Sequence, residues 1–236
     1  MNSIASYCGT PPLPTDLFLR WNLDPILLIA LAIGAAVALR SARPRLMLGG
    51  VVVLALAFVS PLCALSVALF SARAVHHILI VAIAAPLLAL AFPGRPPRFL
   101  GAALLTATAT VTLWLWHVPS LYDRALAHTV IYWLMQVSLL ATAVWFWREL
   151  FAAPPVPATL SAIAAMAQMG MLGALLTFAP DPLYVVHVAT TLPWGLSPLA
   201  DQQLAGLIMW VPGILPYAVI TAVIGRRLWM RTAAPA

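Results

Sequence analysis

Five histidines, His76, His77, His117, His128 and His187, and the polar run Asp201-Gln202-Gln203 stand out in a chain that is 64% hydrophobic and only 8% charged. Imidazole and carboxylate groups, joined by thioethers such as Met135, Met166, Met169 and Met209, are ligand types that suit copper in either oxidation state. Each type also has an ordinary reading. Methionine packs among helices, and a carboxylate such as Asp201 in a first helical turn is favoured by the helix dipole. His117 and His128 lie among Trp114, Trp116, Tyr122, Tyr132 and Trp133, a grouping that matches an interfacial aromatic belt.

These side chains must be held by helices in lipid. With a mean hydropathy of +1.01, a soluble domain of this composition would expose large apolar patches. A bilayer core about 30 Å thick takes roughly 20 apolar residues per helix. Seven such windows can be drawn, at 24–40, 46–62, 66–92, 99–117, 126–148, 159–179 and 204–225. Helices are the default because open sheet edges do not survive in hydrocarbon, and the runs are too long for barrel strands. The expected fold is an all-α integral membrane protein, a seven-transmembrane-helix bundle. It has a short external tail at 1–23, one membrane domain at 24–225 and a basic cytoplasmic tail at 226–236. Pro86, Pro212 and Pro216 predict kinks.

All twelve basic residues are arginine. Arg40, Arg43, Arg45, Arg95, Arg98, Arg148, Arg226, Arg227 and Arg231 fall in every second gap, which marks that side as cytoplasmic. The other side holds Asp16, Asp24, Asp123, Asp181 and Asp201. The N-terminus is therefore expected outside and the C-terminus inside. The net charge of +6 serves topology, so no nucleic-acid partner is expected, and the partner of most of the surface is membrane lipid. Residues 1–16 carry neither a basic n-region nor an apolar h-region, so no cleavable signal peptide is expected. Cys8 and Cys63 both fall on the oxidising side and could pair.

With sidedness assigned, all five histidines lie in the outer half, together with Asp123, Asp181, Asp201, Gln202, Gln203 and Gln136. His77 lies some way into its span, where imidazole is costly unless it faces the interior and finds a partner; metal binding and an interhelical hydrogen bond are both open. Arg73 precedes it by one turn on the same face. A carboxylate such as Asp123 or Asp201 is its expected partner, with outward snorkelling as the alternative. Three polar residues leading into a lipid-spanning helix at Asp201 call for an interior or partner-facing role, beyond capping. Gly170, Gly173 and Gly206 are small enough to let helices approach closely. The absence of lysine excludes a retinal Schiff base, there is no phosphate-cradling Gly-Lys loop, and no nucleophile, base and orienter constellation is present, so an enzyme is not expected.

Four stretches carry a resemblance to a known family. Ser60-Pro61-Leu62, Phe70-Ser71-Ala72, His77 and Ala85-Pro86-Leu87-Leu88 form the first. Trp116-His117-Val118-Pro119 with Leu121-Tyr122-Asp123 is the second and Phe146-Trp147 the third. The fourth, and most specific, runs from Asp201-Gln202-Gln203-Leu204-Ala205-Gly206 to Met209-Trp210. Together they resemble the multi-spanning CtaG family of cytochrome c oxidase assembly factors over most of the chain. The resemblance implies a factor that matures a haem–copper oxidase in the bacterial plasma membrane. It would help copper reach the centre beside the high-spin haem, with oxidase subunits and an extracytoplasmic copper carrier as partners. Carried over by position, His77, His117, Tyr122, Asp201 and Gln202 are the functional residues, and His76 and His128 are further candidate copper ligands.

The chain also departs from that pattern. Arg73 stands where the family usually has a histidine one turn before His77, and Gln136 stands at another histidine position. Neither is a copper ligand, so a metal-free scaffold in which Arg73, Tyr122, Asp123, Gln136, Asp201 and Gln202 form a polar network or contact the oxidase is the alternative. A haem-handling protein is a second alternative, since His77 with His117 or His128 could supply facing imidazoles. A permease ranks last, because the inner half offers little that is polar besides arginines and Glu149.

Overall fold

The computed structural model describes residues 6–92 and 101–232, and every regular element among them is helical. Arg95 and Arg98 lie outside the described residues. The helices are α1 (Pro25–Arg40), α2 (Pro44–Phe58), α3 (Pro61–Ala68), α4 (Phe70–Ala91), α5 (Ala102–Leu115), α6 (Pro119–Ala127), α7 (Thr129–Ala152), α8 (Pro155–Phe178), α9 (Pro198–Trp210) and α10 (Leu215–Thr232). Proline repeatedly opens them, at Pro25, Pro44, Pro61, Pro119, Pro155 and Pro198, where its missing N–H has no partner to lose. Side-chain caps finish the job at three of these starts. Asp24 accepts from Ile26 N at 2.7 Å, Ser60 from Leu62 N at 3.2 Å and Ser197 from Ala200 N at 3.1 Å.

Among the described residues, α4, α7, α8 and the segment Pro198–Arg226 are long and apolar enough to cross a membrane. A fifth crossing arises if α2 and α3, bent by 48° at their junction, count as one span. The windows drawn at 24–40 and 99–117 correspond to the shorter apolar helices α1 and α5. The window drawn at 66–92 is corrected. Ser66 belongs to α3, and the chain is extended at Leu69 before α4 begins at Phe70. The window at 126–148 is corrected as well, because Leu126 belongs to the separate helix α6 and α7 runs on to Ala152.

Of the three prolines expected to kink helices, Pro216 is corrected, because it lies in the first turn of α10, where its missing N–H costs nothing. Pro212–Ile214 is a single tight turn between α9 and α10. Within α4, Leu79–Ala84 widens into a π-helix just before Pro86, which has no N–H for the carbonyl one turn back. The Trp147 indole donates to the Val81 carbonyl in that widened turn, at 2.8 Å.

Helix α4 is the centre of the bundle, packed against α2, α3, α7 and α9. Helices α8 and α9 cross closely at Gly173 and Gly206. A Cβ built on Gly206 would stand 2.5 Å from the Gly173 carbonyl oxygen. Gly170 is less crowded, with the Trp210 ring 3.7 Å away. The N-terminal segment is no loose tail. Cys8 is joined to Cys63 by a disulfide, Tyr7 stacks on Tyr132 with ring centres 5.1 Å apart, and the Asn22 amide donates to the Phe58 carbonyl at 3.1 Å.

Candidate functional site

The start of α4, the end of α5, α6, the start of α7, the loop before α9 and the first turn of α9 meet at one end of the bundle. Asp201 sets this junction. Its Oδ2 accepts from Phe70 N at 2.6 Å, and its Oδ1 accepts from Ser71 N at 3.2 Å and from the Ser71 hydroxyl. The carboxylate thus caps α4, a helix 131 positions earlier in the chain, rather than its own. Gln202 does similar work beside it. Its Oε1 accepts from Leu183 N at 2.7 Å, and its Nε2 reaches the Leu176 and Asp181 carbonyls at 3.4 Å each. Both side chains are buried, so of the two roles open to the polar run, the interior one is occupied. Gln203 is half-buried and Asp181 exposed.

Above this base the rings gather. Phe70 stacks on Tyr184 with centres 4.1 Å apart and stands edge-on to Tyr122 at 5.3 Å. The Tyr122 hydroxyl bonds to His187 Nε2 at 2.8 Å, and the Tyr184 hydroxyl donates to the His117 carbonyl at 2.9 Å. His187 sits in the loop, and burial pushes its imidazole down from the ordinary 6.5 to about 3. Burial likewise raises the carboxyl of Asp123, which is half-buried in α6.

His77 and His117 face each other, with ring centres 6.1 Å apart. His117 Nδ1 lies 2.7 Å from the Leu113 carbonyl, an acceptor, so Nδ1 carries the proton and Nε2 keeps its lone pair. That backbone anchor is the arrangement that orients an imidazole toward a metal. His77 is buried and neither of its nitrogens has a hydrogen-bond partner. His76 is next to it, ring centres 5.8 Å apart, and lies against the Ala57 backbone and edge-on to the Phe58 ring. His128 is exposed at the α6–α7 joint and is not part of this cluster. Among the described residues no three of His, Cys, Asp and Glu come together as a metal-binding group.

Arg73 departs from both expectations made for it. It is 0% exposed, so it does not snorkel, and among the described residues it pairs with no carboxylate, Asp201 being engaged with the start of α4. Its guanidinium instead lies against the hydroxyls of Tyr122 and Tyr132. Its charge rests over the Tyr132 ring, 5.4 Å from the centre. Gln136, one turn further along α7, is buried beside the Tyr132 hydroxyl. Tyr132 was legible only as part of an aromatic belt; its spacing of four from Gln136 is the signal that puts it on the inner face. Met135, Met169 and Met209 are buried in the core and Met166 packs beside it.

The arrangement offers two neighbouring imidazoles set edge to face, a third beside them and a buried cation one turn away. Neither a curated protein nor a solved structure matches this chain. A family model does, that of the cytochrome c oxidase caa3 assembly factors, over residues 26–232. The apolar helices, the polar end built by Asp201 and Gln202, and this match over most of the length lead to one conclusion: the chain belongs to the Caa3_CtaG family of cytochrome c oxidase assembly factors.

Proposed function

We propose that this protein helps a haem–copper oxidase mature in the bacterial plasma membrane by taking copper at the outer face and passing it to the catalytic subunit. The observation that carries this reading is the His77–His117 pair, in which one imidazole is pre-oriented by the Leu113 carbonyl and the other has no internal partner. Copper is cargo in this scheme. A site of two imidazoles, with His76 as a neighbour, binds loosely enough to release it. An extracytoplasmic copper carrier is the proposed donor and an oxidase subunit the acceptor.

The proposed topology is seven crossings, with α1 and α5 as the short ones, the N-terminus outside and the C-terminus cytoplasmic. Two independent features support it: arginines cluster at alternate gaps, and the Cys8–Cys63 disulfide belongs to an oxidising compartment.

The test is the copper content and Cu(I) affinity of the purified protein, wild type against His77→Ala and His117→Ala, with an absorption spectrum of each sample. Near-stoichiometric copper, lost in both variants, is the expected result. A Soret band would assign the imidazoles to haem instead. Neither copper nor a Soret band would support the metal-free scaffold, the reading favoured by Arg73 and Gln136 standing at histidine positions of the family pattern.

A further inference from the structure

We propose that Cys8–Cys63 is an exchangeable disulfide, which accepts two electrons from a dithiol on the outer side and releases Cys8 as a thiolate. The inference is independent of the copper reading and starts from what surrounds the two sulfurs. The Tyr132 hydroxyl lies 3.3 Å from Cys8 Sγ, and because a disulfide sulfur has no proton to give, the hydroxyl is the donor. Such a bond adds little to a disulfide, whose sulfur is a weak acceptor. To a thiolate it is charge-assisted, and about twice as strong as a neutral bond.

Behind Tyr132 stands a cation. Arg73 lies against the same hydroxyl, with its guanidinium carbon 5.4 Å from the ring centre. Arginine stays protonated, and the Tyr122 and Tyr132 hydroxyls give it partners without neutralising its charge. Among the described residues no carboxylate pairs with it. A thiolate at Cys8 supplies a counter-charge through Tyr132 and needs no added ligand. Cys63 is placed differently, fully buried in the apolar core, where the neutral thiol is favoured. Access separates the sulfurs too. Cys8 is 8% exposed, in a tight turn closed by Gly9 N donating to the Ser6 carbonyl at 2.8 Å, and is followed by exposed Gly9 and Thr10.

In the exchange, a thiolate of the dithiol attacks Cys8 Sγ, the bond to Cys63 breaks, and Cys63 leaves and takes up a proton. The second thiolate then attacks its own partner sulfur in the mixed disulfide, and Cys8 departs as the stabilised thiolate. The dithiol ends as a disulfide, with one of its protons on Cys63 and the other in water. A pair whose reduced form is stabilised in this way is an oxidant.

The test is the redox equilibrium of the purified full-length protein, in detergent with a copper chelator. Glutathione buffers of stepped ratio serve as the probe, approached from both the oxidised and the reduced protein, with free thiols trapped by a maleimide mass tag. The wild type should pass from disulfide to dithiol within the series. Tyr132→Phe, which keeps the ring, should favour the disulfide about tenfold more, a shift of about 30 mV to more negative potential. The direction is diagnostic, because merely loosening the packing around the bond would make it easier to reduce. Should Tyr132→Phe fail to fold, Arg73→Gln must move the equilibrium the same way. A wild type that stays oxidised throughout would make the bond a structural staple and overturn the proposal. So would a variant whose equilibrium is unchanged or moves toward the dithiol.

Discussion

Asp201 is where the chemistry of a single residue settles the most structure. Replacing it by alanine strands the N–H groups of Phe70 and Ser71 in a buried site, at about 1–3 kcal/mol for each group left unsatisfied. Asp201→Ala should therefore unfold several degrees lower in detergent, while Asp201→Asn, which keeps one acceptor, should recover part of the loss. His187 gives a second prediction. Its folded imidazole protonates only near pH 3, whereas the unfolded chain takes the proton near 6.5, so over that window the unfolded state binds more protons. Stability should fall as pH drops from 6.5 toward 3, and His187→Gln should flatten that part of the profile; an unchanged slope would remove His187 from the account. That Asp201 has an interior role was legible from the polar run, but its partner was not, since nothing local shows that it reaches a helix 131 positions away; the role of His187 was not legible at all. Arg73 was equally opaque, because the lack of a carboxylate partner is visible only when every neighbour has been placed.

At the scale of elements, the first helix start was legible at Asp24-Pro25, where proline follows a capping residue, although the window drawn at 46–62 runs through the start at Ser60-Pro61. The break at Leu69 was not legible, since neither proline nor glycine marks it. It exists because Asp201 offers the backbone of Phe70 and Ser71 a better partner than continued helix would. The close crossing of α8 and α9 was half legible: Gly173 and Gly206 were marked as packing residues, but their mutual contact depends on the fold. At Gly206 an added Cβ meets the Gly173 oxygen at 2.5 Å, the Thr177 nitrogen at 2.7 Å and the Thr177 hydroxyl, so backbone has to move. Gly206→Ala should cost about 1–3 kcal/mol as overpacking, whereas Gly170→Ala, with only the Trp210 ring at 3.7 Å, should be tolerated. Comparing the folded yield and unfolding midpoint of the two variants checks this directly.

For the molecule as a whole, composition alone pointed to lipid as solvent and to helix as the regular element, and the described residues are helical with four or five segments long and apolar enough to cross a membrane. The number of crossings was less accessible, since α1 and α5 are short and α2 is bent into α3. The pairing of Cys8 with Cys63, open from sidedness alone, now fixes the tail over the polar end. That bond turns residues 8–63, including all of α1 and α2, into a covalent ring. A protease that cuts at Ser41–Arg43, between those helices, should therefore release no fragment. The cut protein should run as one band on a gel without reductant and as two with it, and the Cys8→Ser protein should separate in both.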